Sequence, residues 1–117
     1  MATRNVGQHL IVELWDCQHL DSPEIIRKAL EEAVEACQGT LLDMKIHSFS
    51  PQGVTGFALI AESHISVHTW PELGYAAVDV FTCGDRIDPE AAIKSFKKYF
   101  QPAHIQLMQI IRGVLRE

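Results

Sequence analysis

An α+β fold, one antiparallel sheet with two helices on one of its faces, is what this 117-residue sequence predicts. Three observations point there. Two segments carry apolar residues at helical spacing behind a cap-and-proline start. Six others are short and β-rich. Four of those six follow one another between the helices, three of them at separations that suit antiparallel hairpins.

Residues 8–15 (QHLIVELW) alternate poorly but are β-rich, and read as a strand buried on much of its surface. Asp21, Ser22 and Pro23 supply a helix start, with Glu24 three residues after Asp21 as a capping box. Ile26, Ala29, Leu30, Ala33, Val34 and Cys37 recur at helical spacing, so the helix runs to about Gln38 and Gly39 ends it. Residues 40–49 form the second strand, interrupted by Pro51, Gln52 and Gly53. Residues 54–61, 64–70 and 75–82 are three more, with Pro71 and Gly74 marking one turn. Asp88 and Pro89 repeat the cap-and-proline signal, and Ala92, Phe96, Tyr99 and Phe100 give the stripe of a second helix that stops near Pro102. Residues 104–111 are the last strand. The sheet face away from the helices still carries apolar residues, and such a face is ordinarily buried against a second copy, so an oligomer is expected.

The length suits one domain, residues 1–117. A formal charge of −5 and the lack of a basic stripe exclude a nucleic-acid partner. No apolar run approaches the roughly 20 residues that span a bilayer. Cys17, Cys37 and Cys83 are odd in number and lack CxxC spacing, which is neither a disulfide framework nor a zinc ribbon. The N-terminal residues do not read as a signal peptide. A cytoplasmic, reduced protein is expected, with neither membrane nor metal.

Reactive side chains are densest over residues 62–83: Glu62, Ser63, His64, His68, Glu72 and Cys83. Along a strand, His64, Ser66 and His68 share one face and Ser63 takes the other. A break or bulge near Ser63 would be needed to bring it to His68. Taken alone, a serine at a strand start is ordinarily structural, a free cysteine such as Cys83 is ordinarily a small buried hydrophobe, and Glu72 reads as a solvated loop acid. His64, His68, Glu72 and Cys83 are zinc-ligand types. On a strand, however, His-x-x-x-His separates the rings by about 13 Å, a poor seed for a metal site.

Several segments agree in order and spacing with one family: Gly7-x-His9, Phe49-x-Pro51-x-Gly53-Val54-x-Gly56, Glu62-Ser63-His64, His68-Thr69-Trp70-Pro71-Glu72, Gly74-Tyr75-Ala76-Ala77-x-Asp79, and Phe81-Thr82-Cys83-Gly84 ahead of Asp88-Pro89. Over nearly its whole length the chain resembles the prokaryotic S-adenosylmethionine decarboxylases, which are pyruvoyl-dependent carboxy-lyases made as proenzymes. The resemblance implies a two-layer α/β sandwich that dimerises sheet to sheet, with active sites near the interface. It implies cleavage between Glu62 and Ser63 into a β-chain (1–62) and an α-chain (63–117), Ser63 becoming a pyruvoyl group that forms a Schiff base with the substrate amine. By match to the family motifs, His68 is the processing base, the hydroxyl of Thr55 assists the acyl shift, and Cys83 is the proton donor. Phe49 stacks on adenine and Glu72 binds the ribose hydroxyls. The implied substrate is S-adenosylmethionine, the reaction supplying the aminopropyl donor for spermidine synthesis.

Two positions depart from the family pattern. Thr55 stands where relatives commonly have serine, and Gln8 where many have a basic residue. Pyruvoyl chemistry on arginine or ornithine, and an uncleaved homologue acting as a non-catalytic partner subunit, are the alternatives.

Overall fold

The computed structural model describes residues 5–83 and 88–115. Gly84, the last residue of the Phe81–Gly84 motif, lies outside the described residues. The elements run β1 (Gly7–Trp15), α1 (Pro23–Ala36), β2 (Leu41–Ser48), β3 (Val54–Ile60), β4 (Ser63–Trp70), β5 (Tyr75–Cys83), α2 (Pro89–Phe100) and β6 (His104–Arg112). A short 3₁₀ turn, Pro71–Leu73, joins β4 to β5 and closes on Gly74, whose φ of 65° suits a residue without Cβ. All six strands make one antiparallel sheet in the order β2-β3-β4-β5-β1-β6. The expected element order and the helix-backed sheet are therefore present.

The core lies between that sheet and the helices. Leu10, Val12 and Leu14 of β1, Ile65 and Val67 of β4, and Val78 and Val80 of β5 meet Ile26 and Leu30 of α1 and Phe96 and Phe100 of α2, all essentially buried. Gly56 is what lets α1 close on β3, because a Cβ there would come within 2.6 Å of Leu30 and 3.0 Å of Ile26. The Ser95 hydroxyl donates to the Ala29 carbonyl at 2.7 Å and ties α2 to α1.

Three local expectations need correction. The α1 cap is Ser22, whose Oγ accepts from the Ile25 N–H at 3.2 Å. Asp21 instead turns its carboxylate to the Gly53 N–H at 2.9 Å. At the other end of α1 the left-handed residue is Gln38 (φ 63°), with the Gly39 N–H donating to the Val34 carbonyl in a Schellman closure. Finally, β1 does alternate: Leu10, Val12 and Leu14 are buried, while Ile11 and Glu13 lie half-buried on the opposite, open face of the sheet. The missing alternation in the sequence is the apolar Ile11 on that open face.

Candidate active site

Several of the candidate side chains lie on the open face. Strand alternation puts Thr55 and Phe57 of β3, His64 and His68 of β4, Asp79, Phe81 and Cys83 of β5, and His9 of β1 on it. The candidate residues fall into two clusters at opposite ends of β4.

The first cluster surrounds a cavity of about 340 Å³ lined by Phe49, Gln52, Gly53, Thr55, His68, Thr69, Trp70 and Glu72. Residues 55 and 68 are partners across β3 and β4, which brings the Thr55 hydroxyl to 3.0 Å from His68 Nδ1. Phe49 stands at the rim, half-exposed, in an edge contact with His47 (ring centroids 4.6 Å apart). Its loop is held by the Phe49 N–H donating to the Gly53 carbonyl at 2.8 Å and by the Asp21–Gly53 bond. Glu72 enters from the 3₁₀ turn. A buried hydroxyl fixes the floor: Thr69 Oγ1 accepts from the Val54 N–H and donates to the Leu20 carbonyl, both at 2.8 Å.

The second cluster is at the β3–β4 hairpin. Ile60 and Ser63 are paired, so Ala61 and Glu62 form the turn, and Glu62 takes a left-handed φ of 60°. That conformation costs a non-glycine residue about 1 kcal/mol and sits on the peptide bond expected to break. Ser63 is buried on the helix side, its Oγ accepting from the Cys83 N–H at 3.1 Å. The Cys83 side chain lies on the open face beside Gly7, where a Cβ would approach within 3.4 Å of Sγ and 2.5 Å of the Thr82 carbonyl oxygen. Two motif segments also meet here, since His9 Nε2 is 3.1 Å from Asp79 Oδ1.

Between the clusters runs an aromatic ribbon. His64 stacks on Phe57 with centroids 5.5 Å apart, packs 5.8 Å from Phe81, and Phe81 meets His9 at 6.0 Å. Burial in this ribbon pushes the His64 pKa below its ordinary 6.5, and the His9 charge adds to that, against the opposing pull of Asp79.

Strand geometry holds from Ser63 to Trp70 with no bulge, so Ser63 and His68 do point to opposite faces. Five residues of strand also separate them by about 17 Å. Within one chain, Thr55, His68, Phe49 and Glu72 come together, Ser63, Glu62 and Cys83 come together, and the two groups stay apart. The sequence reading met Trp70 and Gln52 only as motif and loop residues and gave neither a role in the site. Trp70 shares the His68 face by simple alternation and was within reach of that reasoning, whereas Gln52 sits in a loop whose path no periodicity reports.

Comparisons with known proteins bear on this site. The model of the S-adenosylmethionine decarboxylase family matches residues 8–113. An S-adenosylmethionine decarboxylase proenzyme of Methanococcus aeolicus is 51% identical over 116 residues, covering 97% of this chain and 99% of that protein. The proenzyme of the same name from Thermomicrobium roseum is 49% identical over 113 residues, covering 96% and 97%. Among solved structures, the adenosylmethionine decarboxylase from Aquifex aeolicus has a TM-score of 0.88 at 36% identity, covering 97% of this chain and 96% of that one.

Proposed function

The chain belongs to the S-adenosylmethionine decarboxylase family, and we propose that it cuts its own backbone between Glu62 and Ser63 and then decarboxylates S-adenosylmethionine in a site shared by two copies. The product would serve as the aminopropyl donor of spermidine synthesis. One observation carries this reading: the seven candidate residues fall into only two clusters, one with the cleavage site and one with the cavity.

Processing uses atoms of the chain itself. Ser63 Oγ attacks the Glu62 carbonyl carbon and the peptide bond becomes an ester. The strained Glu62 dihedral favours leaving the starting geometry. A base removes the Ser63 α-proton, the Cβ–O bond breaks, and the β-chain (1–62) departs with the serine oxygen in its new carboxylate. The dehydroalanine left at position 63 takes up water and loses ammonia. His68, hydrogen-bonded to Thr55, is the processing base, and the pair would act on the scissile peptide of the partner subunit. Thr55, which stands where the family pattern commonly has serine, lines the cavity and keeps the hydroxyl.

The residues present fit a pyruvoyl group at position 63: the group derives from a serine, and Ser63 is held by the Cys83 backbone with the thiol on the open face next to it. When formed, that group supplies a conjugated carbonyl that accepts the electron pair released with carbon dioxide. Cys83 Sγ returns a proton to the substrate α-carbon. Phe49 offers a flat face to adenine, and the Glu72 carboxylate accepts from the ribose hydroxyls.

A sheet-to-sheet homodimer joins the clusters. Its two-fold axis lies between the open faces and runs across the strands, so that the Ser63 end of one β4 meets the His68 end of the partner's. Each site then combines Cys83 and the Glu62–Ser63 peptide of one subunit, the Ser63 hydroxyl entering from the helix side of its sheet, with Phe49, Thr55, His68 and Glu72 of the partner subunit. The half-exposed apolar residues of the open face, Phe57 and Trp70 among them, support this contact. Three free cysteines support a reducing, cytoplasmic setting. Among the described residues no helix is long and apolar enough to cross a membrane.

Intact-mass spectrometry under denaturing conditions tests the reading. Wild type is expected as two fragments splitting at residue 63 and Ser63→Ala as one uncut chain of 13.1 kDa. Carbon dioxide release is expected from S-adenosylmethionine and not from arginine or ornithine. A wild-type chain that stays whole, or a Ser63→Ala variant with unchanged activity, sinks the mechanism.

A further inference from the structure

Most polar groups lining the cavity at the His68 end of β4 are engaged by the protein itself. Thr55 and His68 are hydrogen-bonded to each other. The Thr69 hydroxyl accepts from the Val54 N–H and donates to the Leu20 carbonyl. Gly53 is committed on both sides of its backbone, its N–H to the Asp21 carboxylate at 2.9 Å and its carbonyl to the Phe49 N–H at 2.8 Å. Among the described residues, that leaves Trp70, Glu72 and Gln52 as the lining side chains whose polar atoms have no protein partner. An indole only donates and a carboxylate only accepts, whereas a carboxamide does both from neighbouring atoms. Gln52 is therefore the one lining side chain that can offer a ligand a donor and an acceptor side by side.

The same short loop sets Gln52 and Phe49. The Phe49–Gly53 bond closes a turn of Ser50, Pro51 and Gln52 between β2 and β3. Gly53 anchors that turn: its φ of 103° suits a residue without Cβ, and a Cβ there would stand 3.2 Å from the Thr69 carbonyl oxygen. An aromatic ring and a carboxamide thus sit at the two ends of one braced turn, both against the same cavity. Stacking on Phe49 is satisfied by any flat base. The edge of adenine is more particular, since it presents an amino donor beside a ring-nitrogen acceptor, the complement of a glutamine side chain.

We propose that Gln52 is the specificity-determining residue for the base: its Oε1 accepts from the adenine N6 amino group while its Nε2 donates to the adjacent ring nitrogen, with Phe49 covering the ring. The inference rests on the reading of the cavity as the adenine site and names what selects adenine there. Phe49 and Gln52 belong to one chain, so the contact does not depend on how two copies combine. A purine without the amino group leaves Oε1 unpaired once the base is seated, and an unpaired acceptor costs more than a missing contact. The contact is remote from the reacting carbon. It holds ground state and transition state alike and acts on KM rather than kcat.

Steady-state decarboxylation by the cleaved enzyme tests this with two substrates, S-adenosylmethionine and its analogue whose base is purine, lacking the N6 amino group. Wild type is expected to prefer the adenine substrate about tenfold in kcat/KM. In Gln52→Leu the preference is expected to vanish, with KM for S-adenosylmethionine rising about tenfold at nearly constant kcat. Gln52→Met serves if the leucine variant does not fold or cleave. A wild type that turns over both substrates equally overturns the proposal, as does a preference that survives both variants, because another group then reads the edge. In either case, carbon dioxide release from S-adenosylmethionine by wild type leaves the reading of the site standing. A cleaved wild type that releases none overturns that reading and the role of Gln52 together.

Discussion

His64 directly follows the proposed cleavage site, and its half-buried ring is packed between Phe57 and Phe81. Burial is the main reason its pKa falls below 6.5, with His9 second. The sign follows from linkage. Below pH 6.5 the unfolded chain holds a proton on this ring more readily than the folded one does. The stability conferred by the neutral ring is present above 6.5 and is lost as pH falls through the lower folded value. Urea unfolding of the uncut Ser63→Ala precursor is therefore expected to lose stability on acidification more steeply than the same precursor carrying His64→Phe. Parallel pH dependences in the two proteins would mean that His64 is solvated as an ordinary histidine. At this scale the sequence was partly readable. Alternation along residues 63–70 already assigns Ser63 and His68 to opposite faces, and the unbroken β4 bears that out. Alternation says nothing about Phe49 or Glu72, which lie in a loop and a 3₁₀ turn; only the family motifs singled them out.

Elements were legible wherever a local rule acts without competition. Asp88 caps α2, its Oδ1 accepting from the Glu90 N–H at 3.1 Å, as the Asp-Pro pair predicts. At α1 two competent caps stand side by side, and a long-range partner decided between them. The Gly53 N–H takes the Asp21 carboxylate, leaving Ser22 to cap the helix. Such a partner lies 32 residues away and leaves no trace in a local pattern. Gly56 is another tertiary requirement, since glycine inside a β-rich segment reads as a weakness until α1 is laid across it. Gly56→Ala introduces a Cβ 2.6 Å from Leu30 Cδ1, and the Leu30 and Ile26 side chains must shift or α1 must lift. Overpacking of this kind costs about 1–3 kcal/mol. The urea midpoint of the Ser63→Ala precursor is expected to fall accordingly with Gly56→Ala, with an unchanged slope. Because α1 and the cavity share β3, a slope that changed as well would point to loosening of the whole layer rather than a local clash.

For the whole molecule, the separation of the two clusters decides what a single chain can do. Ser63 and His68 lie about 17 Å apart along β4 on opposite faces, and no rotamer change spans that distance. Under the proposed roles, a chain acting alone has a scissile bond with no base and a base with no scissile bond. Two chains related by an axis across the strands would bring the partner's His68 over the open face at the Ser63 end of β4, twice over, with the Ser63 hydroxyl entering from the helix side. The consequence is genetic as much as structural. Ser63→Ala removes the nucleophile but leaves an intact Thr55–His68 pair, while His68→Asn leaves an intact Glu62–Ser63 bond without its base. Each homodimer is expected to stay uncut. In a mixed dimer made by co-expression, one of the two sites combines Ser63 and Cys83 of the His68→Asn chain with Thr55 and His68 of the Ser63→Ala chain, and that site is complete. Fragments split at residue 63 should then appear, and their masses should carry the asparagine and never the alanine. Decarboxylation should return with them, at no more than half the sites. If instead the co-expressed pair stays whole while wild type cleaves, the site is assembled within one chain. Cleavage would then require β4 to rearrange by several residues before Ser63 could react.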